Sequence, residues 1–164
     1  MKKIFMMMAL VAMTLTASAQ GLKTFNGKLF SCQYPADFKA LDQYADYLFS
    51  AETDDRLCGF TLTLIQEDLN ARIMGEFIRS EKAKMEDSPW KMVGQAEIKG
   101  NRVTIRSERE KENDEGETVT LVRISFRVGT LNKKSFTGEL KFLKSDEAKY
   151  QPLVDKILNS CKAK

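Results

Sequence analysis

No histidine occurs among the 164 residues, and that absence removes most familiar chemistry at once. A Ser-His-Asp or Cys-His nucleophile, a histidine general base and a histidine-ligated zinc, copper or iron site are all excluded. Three cysteines are present, Cys32, Cys58 and Cys161. Their spacing contains no C-x-x-C, so neither a thioredoxin-type redox site nor a zinc knuckle is supported. The carboxylates offer two adjacent pairs, Asp54-Asp55 and Glu67-Asp68. Acid–base work needs a carboxyl buried enough to titrate near neutrality. One of these pairs falls in a predicted turn, and the other at a helix start, where the macrodipole favours negative charge. Both are expected to be structural.

Glu108 to Glu117 is the densest run of charge. Asn113, Asp114, Glu115 and Glu117 around Gly116 supply oxygen ligands, but an EF-hand loop needs a bidentate Glu six residues after its glycine. Thr, Val, Leu and Val follow instead, so a solvated hairpin tip is expected, its charges discouraging edge pairing. Tyr44, Tyr47 and Trp90 have two readings: a ligand or partner surface, or aromatic seals on the core. Lys133-Lys134 with Lys141 and Lys144 gives a modest basic end to a strand, without the interleaved aromatics of a nucleic-acid surface. No catalytic, metal or cofactor set emerges.

Residues 1–19 read as a secretory leader. Lys2 and Lys3 form a positive start, Ile4 to Leu15 is uncharged and apolar, and Ala17-Ser18-Ala19 offers small residues for cleavage before Gln20. The run is too short and too polar at its end for a membrane anchor, and no cysteine follows it as a lipoprotein would require. The mature protein is thus expected in the periplasm or outside the cell, with no membrane span. Removing Lys2 and Lys3 from the 26 basic residues leaves 24 against 23 acidic ones. Such a near-neutral surface has no large field to steer it onto nucleic acid or anionic lipid.

The elements that must position these residues follow from periodicity. With 43% hydrophobic residues, residues 20–164 can build one core, and no linker or repeat divides them. Leu29 to Tyr34 alternates, with Phe30, Cys32 and Tyr34 on one face. A short helical or irregular piece is expected around Phe38 to Tyr44. Tyr47 to Ala51 and Gly59 to Ile65 read as a hairpin, with Phe60, Leu62 and Leu64 facing inward. Leu69, Ile73, Met74, Phe77, Ile78 and Met85 then repeat at helical spacing, with Asp68 as the expected N-cap and Ser88-Pro89 as the stop. Lys91 to Ile98, Arg102 to Glu108, Thr118 to Val128 and Ser135 to Phe142 read as four more strands. A closing helix carries Leu153, Val154, Ile157, Leu158 and Cys161 on one stripe, with Pro152 in its first turn. The order predicts an α+β sandwich: an antiparallel sheet of about six to seven strands packed against two main helices.

This layout resembles the PsbP-like superfamily, which includes the photosystem II extrinsic protein, a Ran-binding import factor and the DcrB-like exported proteins of bacteria. The resemblance is carried by Tyr34-Pro35-Ala36-Asp37-Phe38 after the opening strand, the long helix after the third strand, Val93 to Gly100, and Tyr150-Gln151-Pro152-Leu153 with Ile157-Leu158-Asn159-Ser160-Cys161. Members commonly end Ile-Leu-x-Ser-Phe, so Cys161 stands where a core aromatic would sit. The matching residues are core and turn residues; they imply a fold and a binding or assembly role, and transfer no catalytic set.

Three readings of function remain: a non-enzymatic exported accessory protein binding a protein or envelope component, a carrier with an apolar pocket between sheet and helices, and a hydrolase using carboxylates alone. The first is preferred on export, the family resemblance and the absence of a catalytic set; the third is weakest because no positioned pair of acids can be named. Export would expose the cysteines to an oxidising compartment. Either all three are buried and inert, or two pair. In the second case the shared inward faces of the first strand and the closing helix favour Cys32 with Cys161, leaving Cys58 unpaired at a strand start.

Overall fold

A computed structural model describes residues 21–42 and 45–164. The leader and Tyr44 lie outside the described residues. Two antiparallel sheets and three helices form three layers. The larger sheet runs β3(Lys39–Ala40)-β4(Leu48–Glu52)-β5(Gly59–Ile65)-β10(Ser135–Leu143)-β9(Thr118–Gly129)-β8(Arg102–Glu112)-β6(Lys91–Met92), with β7(Glu97–Ile98) also paired to β8. The smaller sheet is β1(Leu22–Asn26)-β2(Phe30–Pro35)-β11(Lys162–Ala163). On the inner face of the large sheet lie this small sheet and the C-terminal helices α2(Glu147–Tyr150) and α3(Val154–Ser160). Helix α1(Ala71–Glu86) covers the β8–β9 side of the opposite face. The α+β class is as expected.

Alternation dictates the main core. Phe30, Cys32 and Tyr34 of β2 and Phe60, Leu62 and Leu64 of β5 are all buried, as their parity requires. They meet Phe49, Phe126, Phe136 and Phe142. The rings of Phe30 and Phe136 lie 5.4 Å apart, and those of Tyr34 and Phe49 4.9 Å apart. Gly138 lies on this face, where a Cβ would collide with Thr61 O and come 2.9 Å from the Phe126 ring. The space between the layers is thus filled by side chains.

Several local expectations are corrected. The N-cap of α1 is Asn70, whose side chain accepts a hydrogen bond from Ile73 N at 3.1 Å; Asp68 lies outside the helix. Lys91 to Ile98 is two short strands, β6 and β7, parted at Gly94, whose φ of 74° breaks the extended chain. Strand β1 was not expected: only its Leu22 and Phe25 are partly buried, so its own pattern carries no alternation. The irregular piece after Phe38 begins with the two-residue strand β3. The closing helix is broken into 3-10 turns at Lys144–Asp146 and Gln151–Leu153 with α2 and α3 between and after them. Pro152 removes a backbone donor within that stretch.

Candidate interaction groove

Strand β8 has a second, polar parity beside its buried one. Val103, Ile105 and Ser107 face α1, while Arg102, Thr104, Arg106 and Glu108 face the C-terminal helices. The β6–β7 connection closes over this polar row, held by Val93 N donating to Arg106 O at 2.9 Å. The result is a groove of about 290 Å³ between the β6–β8 region and α3, floored by Thr104 and Ile124 and walled by Val93, Gly94, Gln151 and Asp155. It continues past Arg102 into a shallower hollow against Asn159.

Every strong cation in the groove is already engaged. Arg102 donates to Asp155 at 2.8 Å and to Asn159 at 3.4 Å, and Lys99 lies 3.8 Å from Asp155. Arg106 spans Glu147 at 2.5 Å and Glu108 at 2.6 Å, while Lys144 reaches the other oxygen of Glu108 at 2.8 Å. Hydrogen bonds from Lys144 and Arg106 hold the Glu108 carboxyl below the ordinary glutamate range. The Arg106 hydrogen bond does the same to Glu147, and reciprocally Glu147 raises the Arg106 guanidinium further. A free anion entering here would have to displace Asp155 or Glu147. The charges of the groove are therefore fixed in place by one another.

The residues singled out from sequence are scattered. Tyr47 is 54% exposed just before β4, the strand next to the edge strand β3 of the large sheet. Leu41, 41% exposed, follows β3, its N–H bonded to Ser50 O of β4. Trp90 is at the other edge and buried, with the guanidinium carbons of Arg109 and Arg123 4.8 and 4.4 Å from its ring centre. Tyr47 and Trp90 do not share a surface. Asp54 pairs with Lys39, Asp55 accepts from Leu57 N, and Glu67 pairs with Arg127 at 2.6 Å. Asn113 Oδ1 accepts from the backbone N–H groups of Glu115 and Glu117, so the charged hairpin tip closes on itself. Lys144 turns to Glu108, and Lys134 to the carbonyl of Lys164. Among the described residues, no three Cys, Asp or Glu side chains converge as a metal site.

All three cysteines are free thiols in this structure. Cys32 and Cys58 are buried in the main core, and Cys161 packs on its margin. Sequence reasoning missed the groove, although its signal was present: the even positions Arg102 to Glu108 are all polar beside a buried odd row.

The geometry matches known structures. No protein-family model matches the chain, and no curated protein matches it. Among solved structures, the Ran-binding protein Mog1p of Saccharomyces cerevisiae is similar with a TM-score of 0.57 at 11% identity, covering 87% of this chain and 95% of that one. PsbP (CyanoP) of Synechocystis sp. PCC 6803 is similar with a TM-score of 0.50 at 11% identity, over 88% and 94% of the two chains. The chain has the PsbP-like fold. LpqN, involved in cell envelope biogenesis of Mycobacterium tuberculosis, gives a TM-score of 0.49 at 11% identity, over 87% and 90%. At such identities the PsbP-like likeness defines the fold alone.

Proposed function

We propose that this is an exported, non-enzymatic accessory protein of the bacterial cell envelope, acting by binding a protein or envelope component. The observation that carries the reading is the filled interior. A carrier needs a void between sheet and helices, and here that space holds Phe30, Phe38, Phe49, Phe60, Phe126, Phe136 and Phe142, each fully buried. The carboxylates whose titration moves, Asp37, Asp55, Glu108 and Glu147, all move downward. None is thus tuned to serve as a proton donor near neutrality, which supports a binding role over a carboxylate hydrolase.

The leader residues Lys2 to Ala19 support export, and no described helix is long and apolar enough to cross a membrane. Mog1p, of the same fold, is named for binding Ran, so the fold accommodates protein recognition. The partner surface we assign is formed by the exposed side chains of Leu41 and Tyr47, which flank β4 on its N-terminal side. Trp90, buried under two arginines, is assigned to packing.

The test is affinity capture from the envelope of the source organism, using the wild type and a Leu41→Ser/Tyr47→Ser variant in parallel. A component enriched at least tenfold by the wild type and lost from the variant is expected. Equal capture by both would move the binding surface elsewhere. Retention of the protein in the cytoplasm with its leader attached would overturn the export reading.

A further inference from the structure

The backbone register of the small sheet places two cysteines opposite each other. Strand β11 pairs antiparallel with β2, Ala163 opposite Phe30 and Lys162 opposite Ser31. One step further along the same register sets Cys161 opposite Cys32, and Cys161 has extended backbone with φ −68° and ψ 118°. Beyond it, Gln33 N donates to the side-chain Oγ of Ser160, the last residue of α3, at 2.7 Å, so the two segments stay in contact there. Hydrogen bonding identifies the kind of pair. Lys164 N donates to Leu29 O at 2.9 Å, so bonded pairs fall at Lys164/Leu29 and Lys162/Ser31, and the alternating non-bonded pairs are Ala163/Phe30 and, one step past Lys162/Ser31, Cys161/Cys32. Non-bonded antiparallel pairs have Cα atoms about 4.5 Å apart and side chains on one face. That lies inside the span a disulfide bridges, about 4.4–6.8 Å.

We propose that Cys32 and Cys161 form a cross-strand disulfide that fastens the C-terminal strand and α3 to β2, with Cys58 left as a thiol. Cys32 belongs to the main core and Cys161 packs against its margin, and the Cys32 thiol senses the Cys161 sulfur as a neighbouring charge. Cys58 lies elsewhere in that core, among groups that include Asp146 and Asp55. In the reduced form the Cys161 thiol donates to Ile157 O at 3.4 Å, a hydrogen bond that the bridge would replace.

The oxidant is a disulfide of the glutathione or thiol-oxidoreductase class. Cys161, the more accessible of the two, attacks one of its sulfurs as the thiolate, forming a mixed disulfide and releasing one thiol. The Cys32 thiolate then displaces the second thiol. The protein gives up two electrons and two protons, and the oxidant gains them. Burial pushes the Cys161 thiol up to about 12 and the Cys32 thiol higher, so thiolates are scarce in the folded protein. The bond is accordingly formed as the C-terminal segment docks during folding.

The test is refolding of the denatured, reduced protein in a buffer of reduced and oxidised glutathione, then alkylation and tryptic mapping without reductant. The expected product joins the peptide Leu29–Lys39 to Ile157–Lys162, with Cys58 fully alkylated. Cys58→Ser is expected to leave that product unchanged, and Cys161→Ser to abolish it. A linked pair containing Cys58, or three alkylated cysteines in the refolded protein, overturns the proposal. The outcome is independent of export and of any partner, because the oxidant is supplied.

Discussion

Asp37 shows how one side chain joins distant parts of the chain. Its Oδ2 accepts from Tyr150 OH at 2.6 Å and from Lys149 Nζ at 2.8 Å, across more than a hundred residues. Burial alone would raise this carboxyl, but the two hydrogen bonds and the Lys149 charge outweigh it and hold the group below its ordinary 3.8. A carboxylate depressed in the folded state stabilises the fold at pH values above its unfolded pKa. That contribution is lost as pH falls through 3.8 and the folded value below it. Asp37→Asn is therefore expected to lower the unfolding free energy by about 1–2 kcal/mol at pH 7, the scale of a charge-assisted hydrogen bond. The gap between variant and wild type should close toward pH 2–3 in urea titrations, on the linkage argument. A gap that stays constant with pH would mean that Asp37 contributes shape and not charge. Tyr34-Pro35-Ala36-Asp37-Phe38 was visible in sequence as a family-like turn; the acceptor role of Asp37 was not, because its partners are brought to it only by the docking of α2.

At the scale of elements, α1 allows a direct test of what terminates a helix. Asn70 caps it through Oδ1 to Ile73 N, and an N-cap replaced by alanine typically costs about 1 kcal/mol. Asn70→Ala should lose about that much in chemical denaturation, whereas Asp68→Ala, two residues earlier, should lose no more than a few tenths. Equal losses would place the cap wrongly. Asp68 and Asn70 are both good caps by type, so sequence could not choose between them; the choice depends on where the chain leaves β5 and turns into the helix. The strands divide the same way. Gly59–Ile65 was legible to the residue because it alternates between a packed and a solvated face. Leu22–Asn26 was not, because β1 is held by pairing with β2 and not by a buried row of its own. Lys91 to Ile98 reads as one continuous strand in sequence because nothing in its composition announces a positive φ at Gly94. In the candidate groove, the polar parity of Arg102 and Arg106 was readable, but their acceptors Asp155 and Glu147 were not. Those lie 53 and 41 residues away and meet them only through tertiary packing.

The molecule as a whole is built unequally on the two sides of its large sheet. The inner side holds one continuous core of aromatic and aliphatic residues reaching from β2 to α3. The α1 side holds two small clusters, Leu69, Ile73, Met74 and Val103 in one, and Met85, Trp90, Ile105 and Leu121 in the other. Buried Glu81 on α1 and Ser107 on β8 also lie on this side, adding polar groups to it. Hydrophobic stabilisation scales with apolar area removed from water, so α1 has less to lose by detaching than the strands that line the main core. We expect native-state hydrogen exchange to show α1 amides opening at a free energy below that of the β5, β9 and β10 amides, as a separate cooperative unit. Ile73→Ala should then lower α1 protection by about 2–4 kcal/mol, and Phe136→Ala should lower β10 protection by about 3–5 kcal/mol, the usual costs of emptying such sites. The decisive comparison is the cross term. If α1 opens independently, Phe136→Ala leaves α1 protection unchanged, because the main core is intact both before and after that opening. If Phe136→Ala lowers protection in α1 as much as in β10, the two sides unfold together and the small clusters are part of a single cooperative core.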